Sequence, residues 1–103
     1  MKVGSVVTLR IPCLGNPAGT AGVCYEIYTL GRGTEGCSFI FANGSYDGFS
    51  KEDQDAFLSH VYDSDLQYEF SNVMKLSRDF DSGVFDRYLV ILFKDRNQTK
   101  ERL

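Results

Sequence analysis

Apolar and polar residues alternate near the amino terminus, with Val7, Leu9 and Ile11 interleaved with Val6, Thr8 and Arg10. A period of two sends successive side chains to opposite faces of an extended chain, so this stretch predicts a half-buried strand stopped by Pro12. Residues 23–30, Val-Cys-Tyr-Glu-Ile-Tyr-Thr-Leu, are rich in β-branched and aromatic side chains and lie between Gly22 and Gly31, which predicts a second strand. The loop between these strands holds Gly15, Pro17, Gly19 and Gly22. Gly36 releases a third strand over residues 37–42, and Asn43-Gly44 ends it as a tight turn. Three strands with glycine turns make a meander.

Beyond a loop over residues 45–49, Ser50 stands three positions before Asp53 and ahead of Phe57, Leu58 and Val61. That is a capping box followed by apolar residues at helical spacing, and it predicts a helix over residues 51–61. Leu66, Tyr68 and Phe70 alternate with Gln67 and Glu69 and predict a fourth strand that continues, with a break, from Val73 to Leu76. Residues 79–88 contain Gly83 and read as a short helical turn, and the apolar run at residues 89–93 predicts a last strand buried on both faces. Residues 94–103 are charged and polar and read as a frayed tail or a short terminal helix, leaving residues 1–93 as a single domain.

Composition supports this without naming a function. The chain of 103 residues is 43% hydrophobic and 24% charged, as an ordinary soluble globular domain is, and it has length enough to bury a core. Gly4, Ser5, Thr8 and Arg10 interrupt the first apolar stretch, so a signal peptide is not expected. No apolar run reaches the ~18 residues of a membrane helix, and a cytoplasmic location is the expectation. Cys13, Cys24 and Cys37 are odd in number and unevenly spaced, which is no disulfide framework. The sequons at Asn43 and Asn97 matter only if the chain is secreted. Charge is segregated: residues 1–34 carry +2, residues 35–93 carry −7 and residues 94–103 carry +2. An acidic centre disfavours phosphate collection and suits a partner with a basic surface.

Several residues carry the outline of a small barrel: Gly4-x-x-Val7-x-Leu9, the glycine and proline loop, Gly19-Thr-x-Gly22-Val-x-Tyr25-Glu, and Phe39-Ile-Phe41 leading to Asn43-Gly44. Over about its first fifty residues the chain resembles Src-homology-3-like barrel modules, in particular the KOW-type variant. The resemblance implies a binding module whose ligand the fold does not choose. The chain departs from that outline where a helix and some twenty further residues precede the closing strand. The fold expectation is therefore α+β, a strongly bent antiparallel sheet or Src-homology-3-like barrel with one inserted helix against its open side.

Candidate chemistry is thin. Gly31-Arg-Gly33-Thr-Glu-Gly36 has the dinucleotide-binding spacing, but Cys-Ser-Phe-Ile-Phe follows where that motif needs a helix N-terminus, so it reads as a hairpin loop. His60 is the single histidine, and a nucleophilic pair with Cys24 or Cys37 would have to run through it. Cys13, Cys24, Cys37 and His60 could count as four zinc ligands but lack a Cys-x-x-Cys knuckle, so buried thiols are the better reading. Asp79-Phe-Asp81-Ser-Gly83 echoes a calcium loop with the ligand order broken, and with the pairs Asp53/Asp55 and Asp63/Asp65 it reads as helix-start charge and solvated surface. No cofactor or metal is expected.

Tyr46, Asp47 and Phe49 remain the binding candidates, two rings and a carboxylate in a loop flexed by Gly48. The competing reading makes Phe49 the staple before the Ser50 cap, although Gln54 is a poor apolar partner for it. The expected function is a non-enzymatic module whose acidic region and aromatic loop bind a protein partner. The alternatives are a KOW-like nucleic-acid binder using Lys2, Arg10, Arg32, Tyr25 and Tyr28, and a small Cys/His hydrolase.

Overall fold

The structure is a computed structural model, and it describes residues 1–89. The amino-terminal alternation becomes β1 (Ser5–Leu9), the aromatic stretch β2 (Ala21–Thr29) and the segment after Gly33 β3 (Glu35–Phe41). Residues 45–49, expected as loop, instead contain β4 (Tyr46–Phe49). Asn43-Gly44 closes a hairpin in which Gly44 takes φ +88°, the Phe41 N–H donates to Ser45 and Tyr46 lies opposite Ile40. Once that turn fixes the register, β4 continues the ladder, which satisfies backbone groups a loop would leave to water.

The helix predicted over residues 51–61 divides in two: α1 (Lys51–Phe57), then β5 (Leu58–Asp63). The Ser50 cap forms as expected, its hydroxyl accepting from the Asp53 N–H at 3.1 Å. The helix stops because β1, buried along its length, needs a partner on its second edge. Leu58, Ser59 and His60 supply one, opposite Leu9, Thr8 and Val7, while the Arg10 N–H donates to the Phe57 carbonyl at 2.8 Å. A register shift leaves Val61 without an opposite residue on β1, and it is exposed.

The sheet runs β4-β3-β2-β1-β5, antiparallel throughout, with β4 and β5 as its two edges. Phe49 on one edge and Leu58 on the other belong to one apolar cluster with Val7, Cys24, Phe39 and Phe41. The sheet is open: no hydrogen-bonded ladder joins β4 to β5, and a closed barrel is not formed. The architecture is α+β, with α1 connecting the two edges.

The other face holds Val6, Val23, Tyr25 and Ile40 under residues that follow β5. The expected fourth strand is absent there, in both of its parts. Residues 64–72 have no regular structure, although Leu66, Tyr68 and Phe70 do pack on the sheet: their alternation reports burial without a ladder. Val73 to Leu76 belongs to α2 (Val73–Asp81), which Asn72 caps by accepting from the Lys75 N–H at 2.9 Å. Leu76 and Phe80, four apart, face the sheet while Met74 points to solvent, the geometry of one helical face. Gly83, at φ +91°, ends that helix, and residues 86–89 are helical, so Leu89 does not begin a strand. The rest of the predicted last strand and the tail, residues 90–103, lie outside the described residues.

Candidate functional site

Phe49 is not a surface anchor. It is 4% exposed and packs edge-on against Phe39, Phe41 and Phe57 at centroid distances of 5.7, 6.0 and 6.4 Å. It alternates inward on β4, and the residue just before the cap is held in the core by rings from β3 and α1. Gln54 completes the connection by another chemistry, its side-chain amide donating to the Phe49 carbonyl at 3.0 Å. Tyr46 and Asp47 are on the surface, Tyr46 at 39% exposure, and the Asp47 carboxylate accepts from the Gly48 N–H at 2.8 Å.

The structure adds a residue that the binding-loop reading left out. Tyr28 lies opposite Gly36, Glu26 opposite Ser38, Ser38 opposite Gly48, and Ile40 opposite Tyr46, so these side chains share one sheet face. Both glycines make room for one ring. A β-carbon at Gly36 would overlap the Tyr28 ring, and one at Gly48 would come within 2.5 Å of its hydroxyl. Tyr28 therefore crosses β3 and ends over β4. Gly48 is a floor for that ring rather than a hinge, and a glycine inside a strand is the sequence signal that points to such an approach.

The result is a shelf with Tyr28 on one side, Tyr46 on the other, and the row Glu26, Ser38 and Gly48 between them. Ser38 donates to a Glu26 carboxylate oxygen at 3.2 Å. Burial raises the Tyr28 hydroxyl above its ordinary range, and the negative charges of Asp47, Glu26 and Asp53 add to the rise. Tyr25 is pushed up to about 12, first by burial and then by Glu26, Tyr46 and Asp47. The Tyr28 phenol stays neutral near pH 7 beside Glu26, so a ring face and a negative charge share one surface, while Tyr25 lies beneath in the core.

The other sequence candidates are dispersed. The His60 ring meets Asp63 at 2.8 Å on β5, whereas Cys24 and Cys37 lie in the core. Arg10 follows the end of β1, where its Nε donates to Ser59 at 3.1 Å, while Lys2 precedes the start of β1 and Arg32 lies in the β2–β3 connection. Those three cations form no single stripe, and Tyr25 is buried beneath Phe70 and Tyr68. Arg32 and Gly33 turn the hairpin with φ +68° and +79°, as a loop rather than a helix start. Asp79 is taken by Lys75 at 2.8 Å and by the Tyr68 hydroxyl at 2.6 Å. Among the described residues no group of three or more His, Cys, Asp or Glu side chains is arranged to hold a metal ion, and no helix is long and apolar enough to cross a membrane.

A groove of about 420 Å³ lies elsewhere, between the β1–β2 loop, the β3–β4 turn and the helical turn at residues 86–89. Its wall is built on Asn16, a buried amide that donates to the Cys13 and Leu14 carbonyls, both at 3.3 Å, and to the Ser45 hydroxyl at 3.0 Å. These bonds pin the β1–β2 loop to the β3–β4 turn. Compared with known proteins, the chain matches no family model, no curated protein and no solved structure.

Proposed function

We propose that this protein is a non-enzymatic interaction module that engages a lysine- or arginine-bearing segment of a protein partner on the Tyr28–Tyr46 shelf. The observation that carries the reading is the placement of Tyr28 over Gly36 and Gly48, with Tyr46 and Glu26 on the same sheet face. An ammonium or guanidinium group gains from a ring face and from a carboxylate at once, and tyrosine is favoured where a rigid ring anchors an interface. The charge of −7 over residues 35–93 steers a basic partner toward this surface.

The test is calorimetric titration of the full chain with an oligolysine or oligoarginine peptide, an oligoglutamate peptide of equal length and a single-stranded oligonucleotide. Basic peptide alone should bind, and Tyr46→Ala should weaken it about 2- to 30-fold, the range of one cation–ring contact. Equal binding of the acidic peptide, or no change in Tyr46→Ala, would sink the proposal. Oligonucleotide binding that falls steeply with salt would favour the nucleic-acid alternative instead.

A further inference from the structure

β4 ends the sheet, and among the described residues no strand pairs with its outer side. The Phe41 N–H donates to the Ser45 carbonyl at 2.9 Å, which fixes the rungs of the β3–β4 ladder that carry hydrogen bonds. Such rungs alternate, so Asp47 opposite Phe39 and Phe49 opposite Cys37 turn their backbone groups toward β3, whereas Tyr46 and Gly48 turn theirs outward. The Gly48 N–H has that direction: it donates to the Asp47 carboxylate at 2.8 Å. A charged side chain blunts an edge in this way, yet a carboxylate held by one exposed N–H is a partner that a carbonyl can displace. Tyr46, Asp47 and Gly48 are all exposed, and beyond them the Gln54 amide covers the Phe49 carbonyl, so the open edge is short. Side chains alternate between faces, which puts Tyr46 and Gly48 on the face of the Tyr28 shelf and Asp47 on the other. Negative charge therefore stands on both faces near this edge, Glu26 on the shelf side and Asp47 opposite.

We propose, resting on the reading of the shelf as a site for a basic segment, that this segment binds in extended form as a sixth strand on the outer edge of β4 and carries lysine or arginine at two adjacent positions. Its backbone pairs with the outward groups of Tyr46 and Gly48, and one of its carbonyls accepts from the Gly48 N–H and releases the Asp47 carboxylate. Main-chain bonds supply affinity in this mode, and alternate side chains supply the choice of sequence. Successive residues of the added strand point to opposite faces. Of two adjacent cations, one meets the shelf at Tyr46, Tyr28 and Glu26, and the next meets Asp47. Two cations one residue apart share a face, and Asp47 gains nothing from the second.

The experiment titrates the full chain calorimetrically with three acetylated octalysine peptides of equal charge: unmodified, backbone N-methylated at every second residue, and N-methylated throughout. Alternate methylation leaves one edge of an extended peptide free to donate, so that peptide should bind as the unmodified one does. Complete methylation removes every N–H donor and should weaken binding about tenfold or more, the worth of two main-chain hydrogen bonds. With unmodified octalysine, hydrogen exchange at the Tyr46 amide should slow, while the Asp47 and Phe49 amides, already bonded to β3, should not change. A serine peptide with two adjacent lysines should bind about 2- to 5-fold tighter than one with the same lysines one residue apart, the range of an exposed ion pair, and Asp47→Asn should erase that difference. Equal binding of all three octalysines, or unaltered exchange at Tyr46 on binding, would overturn the added strand and leave the shelf as a site for basic side chains. Failure of all three to bind would remove both.

Discussion

Replacing Phe49 by alanine separates a core residue from a binding residue. The ring is 4% exposed and touches three other phenylalanines, from β3 and α1, so truncation removes its own burial and leaves a cavity between the sheet and the helix. Buried Phe→Ala changes cost about 3–5 kcal/mol, because the surroundings collapse only in part. Against a total stability of about 5–15 kcal/mol for a domain of this size, that is a large share. With a urea dependence of about 1.5 kcal/mol per molar, the midpoint should fall by roughly 2–3 M. Tyr46→Ala, on the same strand but outward, should stay within about 1 kcal/mol of wild type. Urea unfolding followed by circular dichroism measures both. A Phe49→Ala cost below about 1 kcal/mol would refute the packing reasoning, since no buried ring of this size is truncated so cheaply. The same contrast governs binding experiments: loss of partner binding in a Phe49 variant reports unfolding, and only Tyr46 and Tyr28 variants report contact.

Gly36→Ala should cost about 1–2 kcal/mol in the wild type and much less in a Tyr28→Ala background, because the nearest atoms the new methyl meets all belong to that ring; an equal cost in both backgrounds, measured by a double-mutant cycle, would show that Tyr28 does not lie there. The Ser5 hydroxyl, donating at 2.7 Å, and then the His60 ring hold the Asp63 carboxyl below its ordinary range. The depressed value means that this contribution is present above the unfolded pKa and lost as pH falls through the folded one. The urea midpoint of Asp63→Asn should therefore depend less on pH than wild type below about pH 4, and parallel curves would refute the linkage.

The expectations that held are those resting on local rules. β1, β2 and β3 follow from alternation and from β-branched and aromatic content; the Asn43-Gly44 hairpin and the Ser50 cap follow from positive φ and from a side chain matched to an orphan N–H. The failures share another cause. Phe57, Leu58 and Val61 fit a helical stripe, and Leu66, Tyr68 and Phe70 fit a strand, because a short run of apolar residues fixes which side chains are buried and leaves the backbone open. Asn72, whose side chain caps α2 by accepting from the Lys75 N–H, is the local signal in the letters for that helix.

The candidate site divides in the same way. The sequence by itself determined the acidic centre, the exposed Tyr46 and Asp47 beside a glycine, and the meander that carries them, since each depends on neighbours within a few residues. Only the tertiary structure decided that Leu58–Asp63 is a strand, because β1 had an edge to satisfy about fifty residues away along the chain. It likewise turned Phe49 inward and laid Tyr28 across two glycines on two other strands. Those are relations between side chains on different elements, fixed by strand register and packing, and the periodicity of a single segment does not report them.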